Sequence, residues 1–182
     1  MSIIAIVSGP RDGGNSDTIV QAITKGANEK GKDVKTFRLN QMRNVRGCQA
    51  CMACKKTGRC AVDDDYGKVL EEIRGSEGII LSTPFYFGDS CGQFRLFQDR
   101  FYSFMGADSK PNLPPGKKVA VVVTCGGDRP GASAVADKIE GVMVGALGFE
   151  PVGKIVFVGG PPTAAANDGR VLSEAAALGR AF

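Results

Sequence analysis

Short unbroken apolar runs alternate along this chain with segments of helical period, and this alternation restricts the fold more than any other feature of the sequence. Residues 3–7, 78–83, 118–124 and 151–158 are such runs, rich in β-branched side chains, and residues 33–39 alternate Val34, Thr36 and Phe37 less cleanly. Continuously apolar strands are those buried on both faces, the situation of a parallel sheet between two layers of helices. Between the runs, Ile19, Ile23 and Ala27 recur at helical spacing, as do Tyr66, Val69, Leu70 and Ile73. Phe94, Phe97, Phe101 and Phe104 share one helical face, more consistent with core than with a cofactor box, and residues 132–147 and 171–181 supply two further helices, the last stopped near Gly179. Five strands alternating with helices predict an α/β three-layer sandwich, a doubly wound five-stranded parallel sheet of order 2-1-3-4-5 with helices on both faces. At 182 residues, 43% of them hydrophobic, the chain is expected to be one domain over residues 1–182 with a cysteine-rich insertion loop at 47–62.

In open α/β sheets ligands bind at the carboxyl ends of strands, so the loops after strands one, three and four carry the functional expectation. The first reads SGPRDGGNS from Ser8 and leads into a helix that Asn15 or Ser16 is suited to cap and Gly31 to stop. Strand, glycine-rich loop and helix N-terminus form a phosphate cradle, in which backbone N–H groups, hydroxyls and Arg11 face the anion. The spacing is neither the dinucleotide fingerprint nor the nucleotide-triphosphate loop, and an ordinary strand-to-helix turn uses the same residue types. In the second, Pro84 ends the strand and Phe85, Tyr86, Phe87 and Gly88 follow; the third runs from Cys125 to Gly131. Cys91 and Cys125 read as small buried residues.

Residues 47–66, GCQACMACKKTGRCAVDDDY, hold Cys48, Cys51, Cys54 and Cys60 as C-x2-C-x2-C-x5-C. Three thiols at steps of three, with a looser fourth, suit one compact soft-metal centre; an iron–sulfur cluster, a zinc ion and metal-free thiols remain the alternatives. Asp63, Asp64 and Asp65 open the next helix, where carboxylates complement the helix dipole, and Asp63 or Asp64 is the reserve ligand should Cys60 not serve. No histidine occurs, which removes Ser/His and Cys/His catalysis, and no catalytic residue is assigned. A net charge of +4, with no Lys/Arg run longer than two, does not indicate a nucleic-acid surface. The opening MSIIAIVSG lacks a basic region and no apolar run approaches membrane-spanning length, so a cytoplasmic protein without membrane association is expected.

Three stretches together resemble one family. SGPRDGGNSDT is similar to a G-S-P-R-x-x-G-N-[ST] flavin-phosphate loop, and STPFYFGDSCGQFRLFQDR to an [ST]-P-x-Y-[FW]-G segment with its trailing K/R-x-F-x-D-R helix. With the cysteine loop, they resemble the iron–sulfur flavoproteins within the NADPH-dependent FMN reductase group, from Ile3 to about Gly159. The resemblance implies a flavodoxin-like fold, FMN and one [4Fe–4S] cluster beside it. It implies that Ser8, Arg11, Asn15, Ser16 and Thr18 hold the phosphate with Pro10 in the same cofactor-binding loop, that Pro84, Phe85, Tyr86, Phe87 and Gly88 border the flavin ring, and that Thr124, Gly126 and Gly127 complete the pocket. Cys48, Cys51, Cys54 and Cys60 would be the cluster ligands. The first loop departs from the family pattern, reading S-G-P-R where relatives have G-S-P-R. The implied function is electron transfer from ferredoxin or NAD(P)H to a small acceptor, in a homo-oligomer, dimer or tetramer. An NAD(P)H-dependent FMN or quinone reductase without a cluster, and a non-catalytic thiol/flavin redox sensor, are the competing readings.

Overall fold

The structure, a computed structural model, describes residues 2–182. The four apolar runs and the alternating segment become strands β1 (Ser2–Val7), β2 (Asp33–Arg38), β3 (Gly78–Tyr86), β5 (Lys118–Cys125) and β6 (Glu150–Val158), parallel and ordered β2-β1-β3-β5-β6. This is the expected sheet, to which β4 (Asp89–Ser90) adds a two-residue antiparallel arm on β3. Successive strand residues point to opposite faces. Ile4, Ile6, Ile79, Leu81, Val119, Val121 and Val123 therefore join one core with side chains of helices α3 (Asp65–Gly75), α4 (Gly92–Asp99) and α5 (Arg129–Gly141). Ile3, Ala5, Val7, Ile80, Ala120 and Val122 join the other, under α1 (Asn15–Glu29) and α6 (Gly169–Arg180). The cysteine loop carries a one-turn helix α2 (Ala53–Thr57).

Several boundaries differ from the sequence reading. Pro84 does not end the third strand: β3 continues to Tyr86, with Pro84 in register with Thr124. Ser82 C=O accepts the Ser8 N–H, so Pro84, two residues on, faces the side where β1 has already ended and its missing N–H is not needed. The helix containing the phenylalanines tightens at Arg100 into a 3-10 turn, Arg100–Phe104, yet all four rings remain buried. Helix α5 begins at Arg129, capped by Asp128 through the Gly131 N–H, and gives way to a π-turn at Val142–Ala146. Gly179 does not stop α6 but lies inside it, where a Cβ would stand 2.0 Å from Ile23 O of α1. Gly26 of α1 mirrors it, 2.0 Å from Ala176 O, so the two helices pack backbone against backbone.

Candidate functional site

The loops after β1, β3 and β5 meet at the carboxyl edge of the sheet, around a shallow cleft. Gly9, Pro10, Arg11, Gly14, Asn15, Ser16, Asp17, Pro84, Tyr86, Thr124 and Pro162 line it. Helix α1 opens onto this cleft with Gly14 at its cap position, so Asn15 and Ser16 are not the cap and no side chain satisfies the first-turn N–H groups. A helix N-terminus left uncapped in a cleft favours an anion. Ser16 Oγ and Thr124 Oγ1 lie 2.8 Å apart and tie the start of α1 to the end of β5. Asn15 is spent on the fold: its amide donates to Pro161 O and accepts the Ala165 N–H, drawing the 161–165 segment over the loop. Arg11 is exposed at the rim, and Thr18 Oγ1 donates to Gly13 O at 3.3 Å.

One supporting pair was not legible in the sequence. Asp17, 2% exposed, accepts the Gly13 N–H at 2.8 Å and pairs with Arg38 Nη1 at 2.7 Å. This fixes the glycine turn, where Gly13 has φ +67°, and offsets a carboxylate that would otherwise repel an anion. The only sequence signal was an acid in the first turn of a helix and an Arg at the end of the neighbouring strand.

Strand alternation splits the expected ring-side residues. Pro84 and Tyr86 line the cleft, whereas Phe85 turns toward α5, with its ring edge 2.7 Å from where a Gly131 Cβ would stand. Phe87 and Gly88 form the two-residue turn to β4 with φ of +48° and +86°, the primed hairpin geometry. Phe87 is fully exposed at its tip, an aromatic held in a left-handed conformation that favours glycine. Gly126 and Gly127 border the end of β5 with open space where side chains would be. Ser8 is buried at the base of the first loop and its Oγ has no hydrogen-bond partner among protein groups. An orphaned hydroxyl, an uncapped helix start and glycines facing open space fit a phosphate-bearing planar cofactor. A larger groove of about 400 Å³ lies at the edge of β6 between α5 and α6 and contains none of the expected residues.

The cysteine loop lies on the face of α3 and α4. Cys48 and Cys51 are exposed, Cys54 is buried and Cys60 half-buried. Among the described residues no three Cys, Asp or Glu side chains converge as a metal-holding group, so the four sulfurs are close in sequence without being gathered. The donor set nevertheless has the chemistry of a thiolate-held centre. Ala50 and Met52, between the cysteines, have φ of +50° and +60°, strained values for residues with a Cβ. Cations surround the loop: Lys55 Nζ donates to Tyr102 O and Met105 O, and Arg74 Nη2 donates to Gly58 O at 2.7 Å. Arg100 Nε–H points at Cys60 Sγ at 3.1 Å.

Asp64 is both the α3 cap, accepting the Gly67 N–H, and the buried partner of Arg100, which removes it as a reserve metal ligand. Burial opposes its charge, but the Arg100 guanidinium and the N–H groups of Gly67 and Arg46 outweigh it and hold the carboxyl below its ordinary value. Cys91 and Cys125 are buried, as expected, and the Cys91 thiol sits 3.4 Å from Ser8 O. No helix among the described residues is long and apolar enough to cross a membrane.

Residues 1–161 match the sequence profile of the NADPH-dependent FMN reductase family. The chain is 31% identical over 131 residues to the iron–sulfur flavoprotein of Methanosarcina thermophila, a match covering 72% of this chain and 66% of that protein, just under two thirds of its length. The NAD(P)H:quinone oxidoreductase of Methanothermobacter marburgensis aligns over 99% of this chain and 98% of its own, with TM-score 0.72 and 16% identity. A flavodoxin from the domain Archaea aligns over 99% and 94% with TM-score 0.62 and 17% identity, so the shared feature in both cases is the fold.

Proposed function

The chain belongs to the NADPH-dependent FMN reductase family, and from that premise we propose that it is a flavin-dependent oxidoreductase pairing FMN with a [4Fe–4S] cluster. The observation that carries the reading is the meeting of the loops after β1, β3 and β5 around one cleft, onto which the uncapped start of α1 opens. FMN supplies electron exchange in pairs or singly and a cluster passes single electrons, so together they connect a donor such as NAD(P)H or ferredoxin with a small acceptor.

The chain's own groups bind and orient. The first-turn N–H groups of α1, the Ser16 hydroxyl and Arg11 would hold the phosphate, with the buried Ser8 hydroxyl at the base of the loop. Asn15 acts through the 161–165 segment it anchors, and Thr18 through the Gly13 carbonyl. Pro84 and Tyr86 would border the flavin, with the exposed Phe87 ring at the hairpin tip available to stack, and Gly126 and Gly127 would admit it without side-chain clash. Cys48, Cys51, Cys54 and Cys60 would ligate the cluster. The strained backbone at Ala50 and Met52 supports this reading, because such conformations persist where surroundings or a ligand over-determine them. The Lys55 ammonium, bonded only to carbonyl oxygens, and the Arg100 N–H aimed at Cys60 Sγ favour a centre of negative net charge.

The test is the visible spectrum of anaerobically purified protein with flavin, iron and sulfide analysis. FMN with about four iron and four sulfide per chain is the expected result. FMN without iron would leave an NAD(P)H-dependent FMN or quinone reductase, and absence of flavin would overturn the proposal.

A further inference from the structure

Arg100 is fully buried, although it is one of the residue types least often found inside a protein. A guanidinium has five N–H donors, and in this site all are used. Nε–H donates to Cys60 Sγ at 3.1 Å. The Nη1 group donates to Arg46 O and Asp64 Oδ2, each at 2.9 Å. The Nη2 group donates to Val62 O at 3.1 Å and Asp64 Oδ1 at 3.2 Å. Every acceptor lies in or beside the cysteine loop: Arg46 precedes it, Cys60 and Val62 end it, and Asp64 follows. Asp64 closes the ring by accepting the Arg46 N–H at 3.1 Å. One side chain from the turn after α4 thus fastens both stems of a loop remote from it in sequence.

We propose that Arg100 is the positioning residue of the cysteine loop. It clasps the two stems through Arg46, Val62 and Asp64, and it holds Cys60 Sγ as the one ligand fixed before the other three close on the centre. The N–H···S bond also has an electrostatic consequence, because hydrogen bonds to ligand sulfurs stabilise the more negative reduced state and raise the potential. Lysine does not replace it, since a point charge with three donors cannot serve five acceptor atoms arranged around a planar fork. The effect on potential rests on the proposed cluster; the clasp does not.

The test uses Arg100→Met combined with Asp64→Asn. Removing Arg100 alone would strand a buried carboxylate, whereas Asn retains the oxygen that caps α3, and the pair of changes leaves net charge unaltered. Hydrogen exchange of residues 46–64 is compared with that of β1 and β3 in the anaerobically purified protein. The clasp predicts exchange faster by about tenfold or more in the loop stems, the factor of one lost charge-assisted bond, with the strands unchanged. Equal exchange in the stems would overturn it. The cluster potential is expected to be lower in the double variant, and an equal or higher value would overturn the sulfur contact. Arg100→Lys, which keeps the charge, is expected to behave like the double variant; full restoration by Lys would show that charge alone suffices and end the positioning assignment. If the unsubstituted protein contained no iron and sulfide, the cluster reading would fail while the exchange comparison would still decide the clasp.

Discussion

The backbone contact between α1 and α6 yields a prediction of unexpected sign. Helix propensity alone makes Gly179→Ala stabilising, by about 1 kcal/mol in a helix interior. The structure reverses this, because the added Cβ would stand 2.0 Å from Ile23 O, 2.8 Å from Ala27 N and 2.9 Å from Ile23 C. These are main-chain atoms of a neighbouring helix, so no side-chain rotation relieves the contact and the helices must part by about 1.4 Å to reach ordinary van der Waals distance. Overpacking of this kind costs about 1–3 kcal/mol, and more where backbone must move. Parting also loosens Ile19, Ile23, Val171 and Ala175, which share the core beneath the two helices. A net loss of about 2 kcal/mol is expected, which lowers the urea midpoint by about 1 M for a slope near 2 kcal/mol per molar. Because the first turn of α1 lines the cleft, FMN affinity should fall with it. Urea unfolding followed by circular dichroism is the assay. A midpoint equal to or above that of the unsubstituted protein would refute the close approach.

Arg11→Ala should weaken FMN binding by about 1.5–3 kcal/mol, one charge-assisted phosphate contact, with the thermal stability of the flavin-depleted protein unchanged because Arg11 is exposed; unchanged affinity by fluorescence titration would remove it from the phosphate site. Alanine at Cys48, Cys51, Cys54 or Cys60 should each abolish iron content with FMN retained, whereas alanine at the buried Cys91 or Cys125 should not; iron loss in the Cys91 variant equal to that in the loop variants would contradict the ligand set. For pH, Asp64 is held below its ordinary value, so its contribution is complete above about pH 3.9 and is lost as pH falls through the lower folded value. Protection factors of the cysteine-loop stem amides, which remove the intrinsic pH dependence of exchange, should therefore fall only in acid, and a fall between pH 6 and pH 9 would refute the Asp64–Arg100 account.

The sheet was legible because its strands are covered on both faces, so each buried run stands out without help from tertiary context. The four phenylalanines revealed their face because burial fixes their spacing, even though the backbone carrying Phe101 and Phe104 is 3-10 rather than α. Pro84 misled because a missing N–H matters only where a neighbour accepts it, and β1 has ended there. Gly179 read as a terminating residue and Gly26 gave no signal, since close helix approach is a property of two segments far apart in sequence. The loops of the site were recognisable from glycines, hydroxyls and cysteines. Their supports were not: Asp17 with Arg38, and Arg100 with Asp64 and Cys60, are single charged residues whose partners are set by the fold. Asn15 shows the reverse case, a residue expected at the phosphate whose amide secures the segment over it.

The central claim is that the uncapped start of α1 and its loop hold the phosphate of FMN, and the most direct test compares FMN with riboflavin, which lacks only that phosphate. Both are titrated into the same flavin-depleted protein and followed by flavin fluorescence. Two charge-assisted hydrogen bonds to the phosphate predict FMN binding tighter by about 100-fold or more. Equal affinity for the two flavins would contradict the account.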